Sequence, residues 1–216
     1  MKPIERIVGP DWKDGFLFVG NELILDFVNT RPIQDGETTE LLPDFAALVR
    51  WFLAAGMLNK HQADELAKKW AESTPGKRTV EEMREWRERL RKQLISWEEG
   101  GSLQPAVVKE VNQLMAEHPM RFRLSSKKKP TTELWFEPHQ PGDLFAPLAH
   151  SVATLLAEVD RNRVRKCGNC VLHFVDTSKK GTRRWCSMQL CGNRLKVAAY
   201  AQRKRMAGEG TPTSHH

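Results

Sequence analysis

At 216 residues the chain has room for one large domain or two modest ones, and 40% hydrophobic residues with seven tryptophans mark a packed protein and not a disordered one. No run approaches the roughly 20 apolar residues of a membrane span, and Phe16-Leu17-Phe18-Val19 is too short for a secretory h-region, so the expected location is the cytoplasm. The net charge of +7 is divided: Arg161 to Arg205 holds 13 Lys or Arg against one acid, Asp176, a formal +12 that leaves −5 for the rest and suits one part to a polyanion.

Helical periodicity dominates the first 160 residues. Leu23, Ile24, Phe27 and Val28 form a short apolar stripe that closes near Asn29-Thr30-Arg31-Pro32, because Pro32 disfavours helix at the preceding residue. A second helix is expected from Pro43 or Asp44, with Phe45, Leu48, Val49 and Phe52 inward and a left-handed cap at Gly56. A third runs from Asn59 to about Ser73. Thr79 followed by Glu82 has the capping-box pattern, and Val80, Met83, Trp86, Leu90, Leu94 and Trp97 then recur at three- and four-residue spacing up to Gly100-Gly101. Pro105 opens another helix with Val107, Val108, Val111, Leu114 and Met115 on one side.

After Pro119 the period falls to two, with Phe122 and Leu124 between Arg121 and Arg123 and with Leu134 and Phe136 flanking Trp135. This predicts a hairpin connected through Ser125 to Thr131, where Lys127-Lys128-Lys129 reads as a solvated run. Leu144, Leu148, Val152, Leu155, Leu156 and Val159 restore a helix from Asp143 to about Asp160, leading straight into the basic segment. Residues 207–216 are expected to be a disordered tail.

Cys167-Gly-Asn-Cys170 and Cys186-Ser-Met-Gln-Leu-Cys191 form two close pairs separated by 15 residues. Each pair lets one segment supply two thiolates, and the intervening residues bring the pairs together around a tetrahedral ion. Val171 to Asp176 is expected as a strand, Ser178 to Thr182 as a turn and Arg183-Arg184-Trp185 as the returning strand. Helical character after Cys191 places that ligand in a first turn, an arrangement that resembles a treble-clef finger. Four cysteines predict one structural zinc with no open coordination position. A redox dithiol would be expected beside a βαβ pattern, which the chain lacks, and His173 reads as packing more readily than as a ligand. The expected fold class is mainly α with a small β-hairpin: a helical N-terminal domain over 1–160 and a zinc finger over 161–206.

Arg183-Arg184-Trp185-Cys186-Ser187-Met188 followed by Cys191-Gly192-Asn193-Arg194-x-Lys196 resembles the CGNR zinc finger, and Leu25-Asp26-Phe27-Val28-Asn29-Thr30 resembles the opening motif of the ABATE domain. Together they span nearly the whole chain. The resemblance implies a bacterial regulator of transcription under stress.

Arg183 and Arg184, and then Arg194, Lys196, Tyr200, Arg203, Lys204 and Arg205 on the helix after the last cysteine, are the candidate nucleic-acid contacts. Asn193 and Arg194 serve equally well as braces for the zinc loop. Asp26, Asn29, Thr30 and Arg31 are candidate ligands of a small-molecule effector, although capping explains Asn29 and Thr30 as well. The leading reading is a zinc-dependent, double-stranded-DNA-binding regulator whose helical domain senses an effector or pairs with a second copy. The alternative is an RNA-binding or protein-adaptor module. No glycine-rich phosphate loop, nucleophile motif or paired carboxylates point to an enzyme.

Overall fold

The computed structural model describes residues 11–34, 37–125 and 130–193. Six α-helices make the body: α1 (Leu23–Val28), α2 (Phe45–Ala54), α3 (Lys60–Trp70), α4 (Thr74–Glu98), α5 (Pro105–Glu117) and α6 (Phe145–Glu158). Four short antiparallel pairs decorate it: β1 (Trp12–Lys13) with β2 (Phe16–Leu17), β3 (Ile33–Gln34) with β4 (Glu37–Thr38), β5 (Arg121–Ser125) with β6 (Thr131–Trp135), and β7 (Val164–Lys166) with β8 (His173–Val175).

The helix ends follow local chemistry. Asp44 caps α2 by accepting from the Ala47 amide at 2.8 Å, and Gly56 leaves that helix at φ +76°. Asn59 and Gln62 form a reciprocal capping box on α3. The start of α4 differs from expectation: Ser73 is its cap, accepting from Gly76 at 3.1 Å with Pro75 in the first turn, and Thr79 is buried inside the helix. A serine cap with proline behind it outcompetes the later Thr79/Glu82 pattern, because proline is pre-set for a first turn and has no amide to satisfy.

The core is built where the stripes meet. Phe27, Trp51, Phe52 and Trp86 cluster with ring centroids 4.9–6.3 Å apart, and α4 and α6 close over them with Leu90, Leu94, Leu148 and Val152. On α5 only Val111 is fully buried, and Val108 turns outward. The predicted hairpin forms as β5 and β6, with Phe122 and Leu124 both exposed and Phe136 buried beyond the pair.

Within the finger, β8 pairs with β7, register Val164 to Val175 through Lys166 to His173. The expected partner, Arg183-Arg184-Trp185, is not a strand: the Arg183 amide donates to the Asp176 carboxylate at 2.7 Å instead of to a ladder carbonyl. A buried acid in the connection has replaced the ladder.

Candidate metal centre and its junction with the helices

Cys167 follows β7, Cys170 precedes β8, Cys186 precedes a helical turn, Met188–Gly192, and Cys191 lies within that turn, which Ser187 caps by accepting from the Gln189 and Leu190 amides. The four sulfur atoms lie within 4.8 Å of one another, with Cys170 to Cys186 and Cys186 to Cys191 both 3.7 Å. Tetrahedral zinc with Zn–S of about 2.3 Å requires sulfur–sulfur edges of about 3.8 Å. The cluster therefore fits one structural zinc ion, which these four thiolates hold with no open position.

The thiols act on one another as well as on an ion. Hydrogen bonds donated by the Cys170 and Cys186 thiols hold the Cys167 thiol far below its ordinary range, helped by the amides of Cys186 and Asn169. Its bond to Cys167 pushes Cys170 up to about 12, and bonds to Cys167 and Cys170 push Cys186 higher still. Zinc binds thiolates, so taking up the ion displaces protons from the cysteines that hold it.

The surrounding chain locks the knuckles. The Cys167 amide donates to Leu172 O at 2.8 Å and the Gly168 amide to Arg184 O at 3.0 Å, tying the two cysteine segments together. A Cβ on Gly168 would lie 3.1 Å from the Trp185 ring, so glycine lets that ring close over the knuckle. Arg183 donates from Nε to Trp185 O at 2.7 Å and from Nη2 to Cys186 O, with its guanidinium 4.8 Å over Phe174. Arg163 donates to the carbonyls of Asp176 and Ser178, both at 2.9 Å, and Arg165 to Gly181 O at 2.8 Å.

The finger does not sit apart from the helices. In β2 and the residues after it, Phe16 and Phe18 join the helical core, whereas Leu17 and Val19 pack with Cys167, Leu172, Phe174, Cys186 and Cys191. The two-residue period of an extended chain thus stitches two cores together. Asn29 Nδ2 donates to His173 O and the His173 amide donates to Asn29 Oδ1, both at 2.8 Å. The buried His173 ring meets Glu98, the last residue of α4, at 2.7 Å. The Val175 amide donates to Gly20 O at 2.8 Å, and Ser187 Oγ donates to Asp11.

The candidate effector residues take part in this junction. Asp26 accepts from the Gly20 amide at 2.7 Å, Thr30 donates to Phe27 O at 2.6 Å and accepts from Arg87 at 2.8 Å, and Arg31 lies at the surface 3.4 Å from Glu88. Asp26, Asn29 and Thr30 are hydrogen-bonded inside the protein, Arg31 is at the surface, and a cavity of about 520 Å³ between α4 and α5 is lined by none of the four. Of the candidate nucleic-acid contacts, Arg183 is a brace of the finger and Arg184 is exposed, its guanidinium 5.3 Å from the Trp185 ring centroid. Arg194, Lys196, Tyr200, Arg203, Lys204 and Arg205 lie outside the described residues.

Sequence reasoning missed three participants. The β1–β2 turn was signalled by Asp14-Gly15 between Trp12-Lys13 and Phe16-Leu17, and both turn residues adopt positive φ, +49° and +82°. Arg87, almost fully buried and paired with Glu40 at 2.9 Å, interrupts the apolar stripe of α4 and could have been noticed as a charge beside the core. Glu98 carries no local signal, since its partner is 75 residues away.

Comparison with known proteins gives two matches. Residues 21–159 match the ABATE family, described as "Putative stress-induced transcription regulator", and residues 163–204 match the CGNR zinc finger. Neither description is that of an enzyme family. No curated protein matches the chain.

Proposed function

Because the chain belongs to the ABATE family and ends in a CGNR zinc finger, we propose that it is a zinc-dependent regulator of transcription that binds double-stranded DNA in the cytoplasm through that finger. The observation that carries this reading is how the finger divides its cations. Arg163, Arg165 and Arg183 are tied to its own carbonyls, whereas Arg161, Lys166, Lys179, Lys180 and Arg184 are exposed. Exposed cations this dense, with Asp176 as the one acid of Arg161 to Arg205 and that acid buried, suit a phosphate backbone. In this reading Arg194, Lys196, Tyr200, Arg203, Lys204 and Arg205, which lie outside the described residues, are further candidate contacts. Arg183 acts indirectly, by fixing the loop on which Arg184 stands.

The helical domain would set the finger's orientation. Asn29, Glu98 and the β1–β2 hairpin hold β8 and the cysteine cluster, so a shift in the helices moves the finger. Selection of bound sequences from random duplex DNA and RNA pools by intact, zinc-loaded protein tests the reading. Enrichment of a duplex motif, lost on chelation, is the expected result. Enrichment from the RNA pool alone, or from neither, would replace it with an RNA-binding or adaptor role.

A further inference from the structure

The cavity of about 520 Å³ lies between the first half of α4, α5 and the 3₁₀ turn Pro141–Leu144, and none of its lining residues belongs to the finger. That volume is in the range of small-molecule sites. Its floor is aromatic: Trp86 and Phe145 meet edge to face at 5.5 Å, and Trp70 stands beside them. Trp86 is 1% exposed, and the indole N–H groups of Trp70 and Trp86 are buried without an acceptor among the described residues.

The rim is charged unevenly. Glu82, Glu85, Glu110 and Glu117 face two cations, Arg78 and Arg89. Arg78 is taken by Glu82 at 3.5 Å, and Arg89 by Glu110 at 2.8 Å with Glu85 at its 4.0 Å margin. Among the described residues Glu117 meets only the neutral Gln113 amide, at 2.8 Å. His118 is turned to Asp143 at 3.4 Å and stacks on Phe145. An aromatic floor under an excess of carboxylates attracts a cation with an apolar body, since ring faces and acids both favour positive charge and disfavour negative.

We propose that this cavity binds a small organic cation, its charge set against Glu85 and Glu117 and its apolar part on the Trp86–Phe145 floor. The site deepens the regulator reading, on which its biological meaning rests, by supplying the sensing end. Residues 78–89 of α4 line the cavity, and the same helix ends at Glu98 against the finger's His173. Binding itself is tested without DNA, so failure here and failure of DNA binding are separate results.

The probes are benzylamine, benzyl alcohol and benzoate, which present one ring with positive, neutral and negative heads. Each is titrated into full-length zinc-loaded protein while the indole N–H resonances of Trp70 and Trp86 are followed by nuclear magnetic resonance. Benzylamine should shift those resonances and bind at least about fivefold more tightly than benzyl alcohol, with benzoate weakest. The double variant Glu85→Gln/Glu117→Gln, both positions exposed, should weaken benzylamine at least roughly threefold and leave benzyl alcohol unchanged. Equal affinity for the three probes, preference for benzoate, silence of both indoles, or a double variant that weakens all probes alike would each overturn the proposal.

Discussion

Asn29 joins two parts of the chain 144 residues apart through one side chain, exchanging two hydrogen bonds with the backbone of His173 in a site closed to solvent. Alanine there would strand a buried amide and a buried carbonyl of β8, each costing about 1–3 kcal/mol. Asn29→Ala should therefore lower stability by roughly 2–4 kcal/mol in chemical denaturation, and a loss under about 0.5 kcal/mol would assign Asn29 another role. Asp26, three residues earlier, works differently. Burial raises its carboxyl from 3.8 to about 7, against the Gly20 and Val19 amides and Lys13, which favour the charge, while Glu22 adds to the rise. The folded state then holds a proton that the unfolded chain releases above about 4, so the folded state loses stability as pH climbs from about 4 to about 7 and no further. Asp26→Asn keeps an oxygen for the Gly20 amide but does not titrate. Its stability relative to the natural chain should rise across that window by an amount on the order of 2–4 kcal/mol. Effects of pH on zinc binding are common to both proteins and cancel in the difference. A pH-independent difference would sink the assignment.

At the scale of elements, α4 shows how a local rule and a tertiary one can oppose each other. Glycine inside a helix ordinarily costs about 1 kcal/mol relative to alanine, yet a Cβ on Gly76 would sit 2.1 Å from the Trp70 carbonyl oxygen at the end of α3. Gly76→Ala should thus destabilise the protein, by about 1–3 kcal/mol in thermal or denaturant unfolding, where propensity alone predicts a gain. The same opposition explains what was legible in the sequence. The stripes of α2, α4 and α6, the start of α3 near Asn59 and the four cysteines are local patterns, and each appears where its spacing places it. The start of α4 differs from expectation because two capping signals compete within a few residues, and Pro75 in the first turn favours the earlier one at Ser73. The partner of β8 was misassigned because a strand pattern does not name its neighbour, and Asp176 takes the Arg183 amide out of any ladder. Asn29 stood in a recognisable motif, but its use depends on His173, which no spacing rule connects to it.

Taken whole, the molecule is two cores joined by β2 and by β7–β8, whose Val164 and Val175 enter the helical core while Phe174 stays with the cysteines, and this determines what zinc controls. Trp12, Leu17 and Val19 pack with the cysteines, while the helical core is built without them. Chelation should leave most far-ultraviolet helical signal in place, yet open the β1–β2 hairpin to proteolysis near Lys13; retention of a protected hairpin after zinc loss would contradict the shared core. The same architecture separates two kinds of cation, and DNA binding should report the difference. If on the order of five exposed side chains of the finger neutralise phosphates, log K should fall with log salt at a slope of about −4 to −5. Replacing Lys179 and Lys180 by alanine removes two contacts from a solvent-exposed turn and should reduce the slope by about 2, weakening all duplex sequences alike. Arg183→Ala should act by another route: its guanidinium holds the Trp185 and Cys186 carbonyls, so the variant should lose zinc more readily, and any loss of DNA binding should track lost metal. A slope near zero for the natural protein, or a slope unmoved by the double lysine substitution while zinc stays bound, would mean that this face does not lie on phosphate.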